Sequence, residues 1–64
     1  DSEELHEGVM CVGAPVRDHT GEVVAAISVS LLKARVTEAR LEKIAQEVVR
    51  TGARISRAMG YQSA

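Results

Sequence analysis

Residues 8–31 read GVMCVGAPVRDHTGEVVAAISVSL. Two Val-rich apolar runs flank a short polar segment. In that segment, RDHTGE at 17–22, Asp18 and Gly21 bracket two residues that tolerate helical torsions, which is a turn signal. Two apolar runs across a short Asp/Gly turn predict an antiparallel β-hairpin with strands over 8–16 and 23–31. Pro15 has no amide donor and belongs at a sheet edge or near a strand end.

The register decides which side chains share a face, because a one-residue slip sends every side chain to the other side. Pairing Arg17 with Glu22 sets Val12 against Ile27, Met10 against Val29, Val16 against Val23 and Ala14 against Ala25. That face is wholly apolar. The opposite face then pairs Cys11 with Ser28, Val9 with Ser30 and Gly13 with Ala26, all small or polar except Val9. If Gly21 instead forms a bulge, Asp18 pairs with Glu22 and the two faces mix. The first register is preferred because it yields one clean core face.

A helix follows the hairpin. Thr37 is a candidate N-cap. Leu41, Ile44, Ala45, Val48, Gly52, Ile55 and Met59 recur at three- and four-residue spacing and form one apolar stripe. Gly60 suits the position just beyond the helix end. A helix of this span is about 35 Å long and nine-residue strands are about 30 Å long, so the helix can lie along the hairpin. Gly52 falls within the stripe, where a glycine costs about 1 kcal/mol relative to Ala. Close approach of helix to sheet is the reason expected for it.

Composition bounds the rest. Sixty-four residues form at most one domain, and a chain this short buries only about 60 % of the surface its unfolded form exposes. One cysteine allows no internal disulfide, and no spacing of Cys and His suggests zinc. With no Trp or Phe and one Tyr, the large anchors of a small core are missing. The chain is therefore expected to be part of something larger. No signal peptide or membrane-spanning stretch is present in the sequence, and a lone thiol suits a reducing cytoplasm.

The net charge is −1, but the charge is segregated. Acids dominate residues 1–22, and Lys33, Arg35, Arg40, Lys43, Arg50, Arg54 and Arg57 dominate residues 33–57. A solvated helix face accounts for this pattern. A nucleic-acid surface would call for a larger base excess and interleaved aromatics.

Ser28, Ser30 and Cys11 thus converge on a face too small and polar to be core. Small side chains leave room, and hydroxyls hold the oxygens of a small ligand. The bland alternative is contact with another layer of the protein, with the hydroxyls bonded to backbone. A cysteine nucleophile with His6 or His19 as base is a further alternative. His19 lies more than about 20 Å from Cys11 along an extended strand, and nothing marks an oxyanion hole, so no enzyme is expected. Asp1, His6 and Cys11 match no common zinc pattern, and no metal or cofactor is expected. A purely structural role, holding an oligomer together, is compatible with sensing, because the hairpin's open edges need the rest of a sheet.

The stretch GVMCVGAPVRDHTGEVVAAISVS resembles the end of the effector-binding domain of IclR-family bacterial transcriptional regulators. The spacing from Asp1 and Glu4 to Cys11, then VGAPVRD and AAISVS, is similar to that family's signature. ARVTEARLEKIAQEVVRTGARISRAMG resembles its C-terminal helix. The resemblance implies an α/β (α+β) fold: an antiparallel hairpin plus C-terminal helix, residues 1–64 being the C-terminal part of a GAF-like effector-binding domain. In such a domain helices pack on one face of the sheet. It further implies a small-molecule effector, often an organic acid, held on the other face. DNA contact is implied through an N-terminal winged helix-turn-helix absent from these residues, with assembly as a dimer or tetramer and no membrane. Carried over by position, the ligand-binding residues are Asp1, Val9, Cys11, Ser28 and Ser30. Where the family has Gly-Pro after SVS, this chain has Leu31 and Leu32, which leaves the shape of the following turn open.

Overall fold

A computed structural model describes residues 8–62. Strands β1 (Val9–Arg17) and β2 (Val23–Leu32) form a two-stranded antiparallel sheet. A 3-10 turn at Lys33–Arg35 leads to helix α1 (Glu38–Ala58). The hairpin and helix stand as predicted. The 3-10 turn after Leu31 and Leu32 carries no signal that the sequence reading used.

The hairpin register differs from both sequence readings and combines them. At the turn, the Asp18 amide donates to the Glu22 carbonyl at 3.0 Å, and the Gly21 amide donates to the Asp18 carbonyl at 2.9 Å. The turn therefore closes on Asp18 and Glu22, with Gly21 at φ +89°. Arg17 pairs with Val23, but Val16 pairs with Ala25. Val24 is the extra residue of a β-bulge, and it moves the rest of β2 by one place. Beyond it Ala14 pairs with Ile27, Gly13 with Ser28, Val12 with Val29 and Cys11 with Ser30. The preferred pairings were thus two residues off. The faces were nevertheless right, because a shift of two preserves the alternation that a shift of one destroys.

Helix α1 covers the face bearing Met10, Val12, Ala14 and Val16. Among the described residues Ala14, Val16 and Val48 are the buried apolar side chains. Thr37 caps the helix, its hydroxyl accepting the Arg40 amide at 3.2 Å. At the other end Gly60, at φ +95°, donates to the Arg57 carbonyl, and Tyr61 donates to the Ser56 carbonyl, both at 3.0 Å. These two bonds make a Schellman stop. A Cβ on Gly52 would lie 3.0 Å from the Pro15 carbonyl oxygen and 3.1 Å from the Ala14 Cβ. The glycine lets helix and strand backbones meet, as expected.

The lower half of the predicted stripe needs correction. Ile55 and Met59 are exposed, and Ser56 is buried instead. Val48, Gly52 and Ser56 follow a four-residue ridge that lies directly on β1. Ser56 Oγ accepts the Arg17 amide at 2.8 Å and donates to the Gly52 carbonyl at 2.9 Å. The bulge interrupts the ladder at Arg17, and Ser56 supplies the partner its amide lacks. A polar side chain therefore wins the position that periodicity alone assigns to an apolar one.

Candidate ligand-binding face

The face of the hairpin turned away from α1 carries Val9, Cys11, Gly13 and Pro15 from β1. Ala26, Ser28, Ser30 and Leu32 face the same way from β2, as alternation along each strand and the observed register require. Four of the five predicted site residues, Val9, Cys11, Ser28 and Ser30, therefore share one face. Cys11 and Ser30 are direct partners, with Sγ and Oγ 3.5 Å apart. Ser28 stands opposite Gly13, and Val9 opposite Leu32. Cys11, Ser28 and Ser30 are all exposed. Asp1 lies outside the described residues, as does His6.

Between Val9 and Pro15 this face carries no charged side chain, and its exposed polar side-chain atoms are two hydroxyls and a thiol; Arg17, next in the alternation, donates to the Gly21 carbonyl at 2.8 Å. Such a surface donates to an oxygen-rich ligand without bringing a formal charge of its own. The turn is a separate polar cluster. Asp18 Oδ1 accepts from the Thr20 hydroxyl at 2.5 Å, the Thr20 amide at 2.8 Å and the Glu22 amide at 3.3 Å. These bonds, led by the Thr20 hydroxyl, hold the Asp18 carboxyl below its ordinary value. They staple the turn and do not reach the Cys11 end of the hairpin. His19 sits in this turn, and a Cβ on Gly60 would lie 3.0 Å from its Cβ. The helix stop and the turn thus meet at the end of the hairpin remote from Cys11. Among the described residues no group of three or more His, Cys, Asp and Glu could hold a metal ion.

Two of the cavities that flank the helix also touch the hairpin. One, of about 360 Å³, has Ile27, Val29, Ile44 and Val48 on its floor and Arg40, Lys43 and Glu47 among its lining. The other, of about 460 Å³, lies beside β1 and includes Arg17, Arg57 and Tyr61. Neither includes a predicted site residue. Nothing in the sequence pointed to them: Val29, on the helix side of β2, is 39 % exposed, which no periodicity could foretell. The helix bases are solvated: Arg50 pairs with Glu47 at 3.3 Å with both side chains largely exposed.

Comparison with known proteins fits this arrangement. The family described as bacterial transcriptional regulator IclR, C-terminal, matches residues 1–57. The HTH-type transcriptional regulator XynR of Escherichia coli K12 is 44 % identical over 61 residues, covering 95 % of this chain and 24 % of that protein. KdgR from the same strain, also an HTH-type transcriptional regulator, is 38 % identical over 61 residues, covering 95 % and 23 %. The crystal structure of the Agobacterium tumefaciens repressor BlcR superposes with a TM-score of 0.85 at 30 % identity, covering 95 % of this chain and 25 % of that one. The chain belongs to the IclR family of bacterial transcriptional regulators and has the fold of their C-terminal region. It spans about a quarter of the length of the curated relatives it matches. Among the described residues no helix is long and apolar enough to cross a membrane.

Proposed function

We propose that these residues are the effector-sensing part of a cytoplasmic DNA-binding regulator, and that the open hairpin face binds a small organic acid. The observation that carries this reading is the face shared by Val9, Cys11, Ser28 and Ser30, opposite the helix and exposed at Cys11, Ser28 and Ser30. Ser28 and Ser30 donate to a carboxylate or carbonyl oxygen, and Cys11 lines the site as a small, weakly polar group. Asp1, in the preceding acidic segment, accepts from a ligand hydroxyl.

The role is binding, not catalysis. A ligand that prefers one sensor conformation shifts the population of the dimer or tetramer, and so the spacing of DNA-binding heads carried elsewhere in the polypeptide. Family membership supports the regulatory setting. The apolar groove between β2 and α1 favours a companion role in packing against the rest of the regulator.

Calorimetric titration of the complete regulator with a panel of small organic acids tests the proposal. Binding by one class of acid, weakened in Ser28→Ala and Ser30→Ala with the fold intact, is the expected result. Unchanged affinity in both variants would remove the serines from the site.

A further inference from the structure

We infer that Gly13 is the size gate of the sensing face: a strand position left without a side chain so that a short-chain organic acid can lie directly on the backbone. The inference rests on the reading of this face as the effector site.

Gly13 is the one glycine whose presence the chain itself does not explain. Gly8, Gly21 and Gly60 hold positive φ, and Gly52 is fixed by the close approach of Ala14 and Pro15. Gly13 lies in β1 with no positive φ, and a Cβ there would meet only the Ile27 carbonyl oxygen at 3.4 Å and the Ser28 Cβ at 3.8 Å. Those are ordinary contact distances, so an alanine fits. A glycine inside a strand weakens it and marks a place where a ligand or another backbone comes close. Gly13 is exposed on the open face, directly opposite Ser28 and diagonal to Ser30, the partner of Cys11. Cys11 and Gly13 are about 7 Å apart along the strand. The gap above Gly13 is therefore bordered by a thiol and two hydroxyls. The hydroxyls suit the carboxylate of the ligand, and the bare backbone leaves room for its chain. A side chain at position 13 would occupy that room and discriminate by ligand length.

The test uses the complete regulator with Gly13→Ala and Gly13→Val. Its readouts are thermal stability, alkylation of Cys11 by iodoacetamide followed on the Cys11 peptide by mass spectrometry, and titration with 2-hydroxy acids from glycolate to 2-hydroxyhexanoate. The expected result is an unchanged or raised Tm, since a strand glycine is itself weakening, a reactive Cys11 in the wild type, and slower alkylation in Gly13→Val. Among the acids that the wild type binds, the longest should lose about tenfold or more in affinity and the shortest least. An unreactive Cys11 together with a large fall in Tm for Gly13→Ala would overturn the inference, since Gly13 would then face another packed layer of polypeptide. Uniform loss across all acids, or no loss, would overturn the gating role. If none of the acids binds, the organic-acid reading fails and the gate, stated for that ligand, fails with it, whereas binding without a length-dependent loss overturns the gate alone.

Discussion

Ser56 decides more of this structure than its size suggests. It links the helix to the hairpin at the bulge, accepting the Arg17 amide while donating to its own helix at Gly52. Replacing it with alanine leaves a part-buried amide without that partner. Ser56→Ala should cost the complete regulator about 1–3 kcal/mol, read as a lower urea midpoint with an unchanged slope. An unchanged midpoint would show that Arg17 finds another acceptor. The bulge made this role invisible in the sequence: Ser56 lay one place off an apolar stripe, and only the interrupted ladder creates the need for an acceptor. Asp18 makes a second residue-scale claim. Its carboxyl is held below its ordinary value by bonds from Thr20 and Glu22, so the folded state favours the charged form. The stabilisation is present above the unfolded value of about 3.9 and fades as pH falls through the lower folded value. Comparing acid unfolding of wild type and Asp18→Asn checks this: the substitution should flatten the acid limb, and identical limbs would contradict it.

Between elements, the decisive contact is that of α1 with β1. Gly52 was legible from its place in the stripe, and the structure supplies the reason in the Pro15 carbonyl and Ala14 Cβ. Gly52→Ala gains about 1 kcal/mol in helix propensity and forces the backbones apart, an overpacking cost of about 1–3 kcal/mol. A net loss of stability is expected in thermal unfolding of the complete regulator, and a raised Tm would contradict the close approach. The hairpin faces were also legible, through alternation and the clean apolar set they produce. The pairings were not, because the turn and the Val24 bulge each shift the register by one and only their sum restores the faces. Sequence periodicity reports parity, and it is silent on which of two same-parity pairings the turn selects.

At the scale of the whole molecule the chain is thin in core. Among the described residues the buried apolar side chains are Ala14, Val16 and Val48, while Val23, Val24, Leu32 and Val49 are about half exposed. The isolated 64-residue chain should therefore associate or fold poorly, as seen by circular dichroism and sedimentation. A monomer that unfolds cooperatively would contradict that expectation. The family was legible because the fixed spacing of Cys11, VGAPVRD and AAISVS is dictated by two strands and a turn. Ligand identity was not, since these residues supply one hydrogen-bonding face and Asp1 lies outside the described residues. The central claim is that this face binds the effector. Amide NMR of the complete sensor domain, titrated with the tightest-binding acid from calorimetry, tests it most directly. The account predicts shifts centred on Cys11, Gly13, Ser28 and Ser30, absent in a Ser28→Ala, Ser30→Ala double variant. Shifts confined to Arg40, Lys43, Ile44 and Thr51 in the groove beside the helix would contradict it.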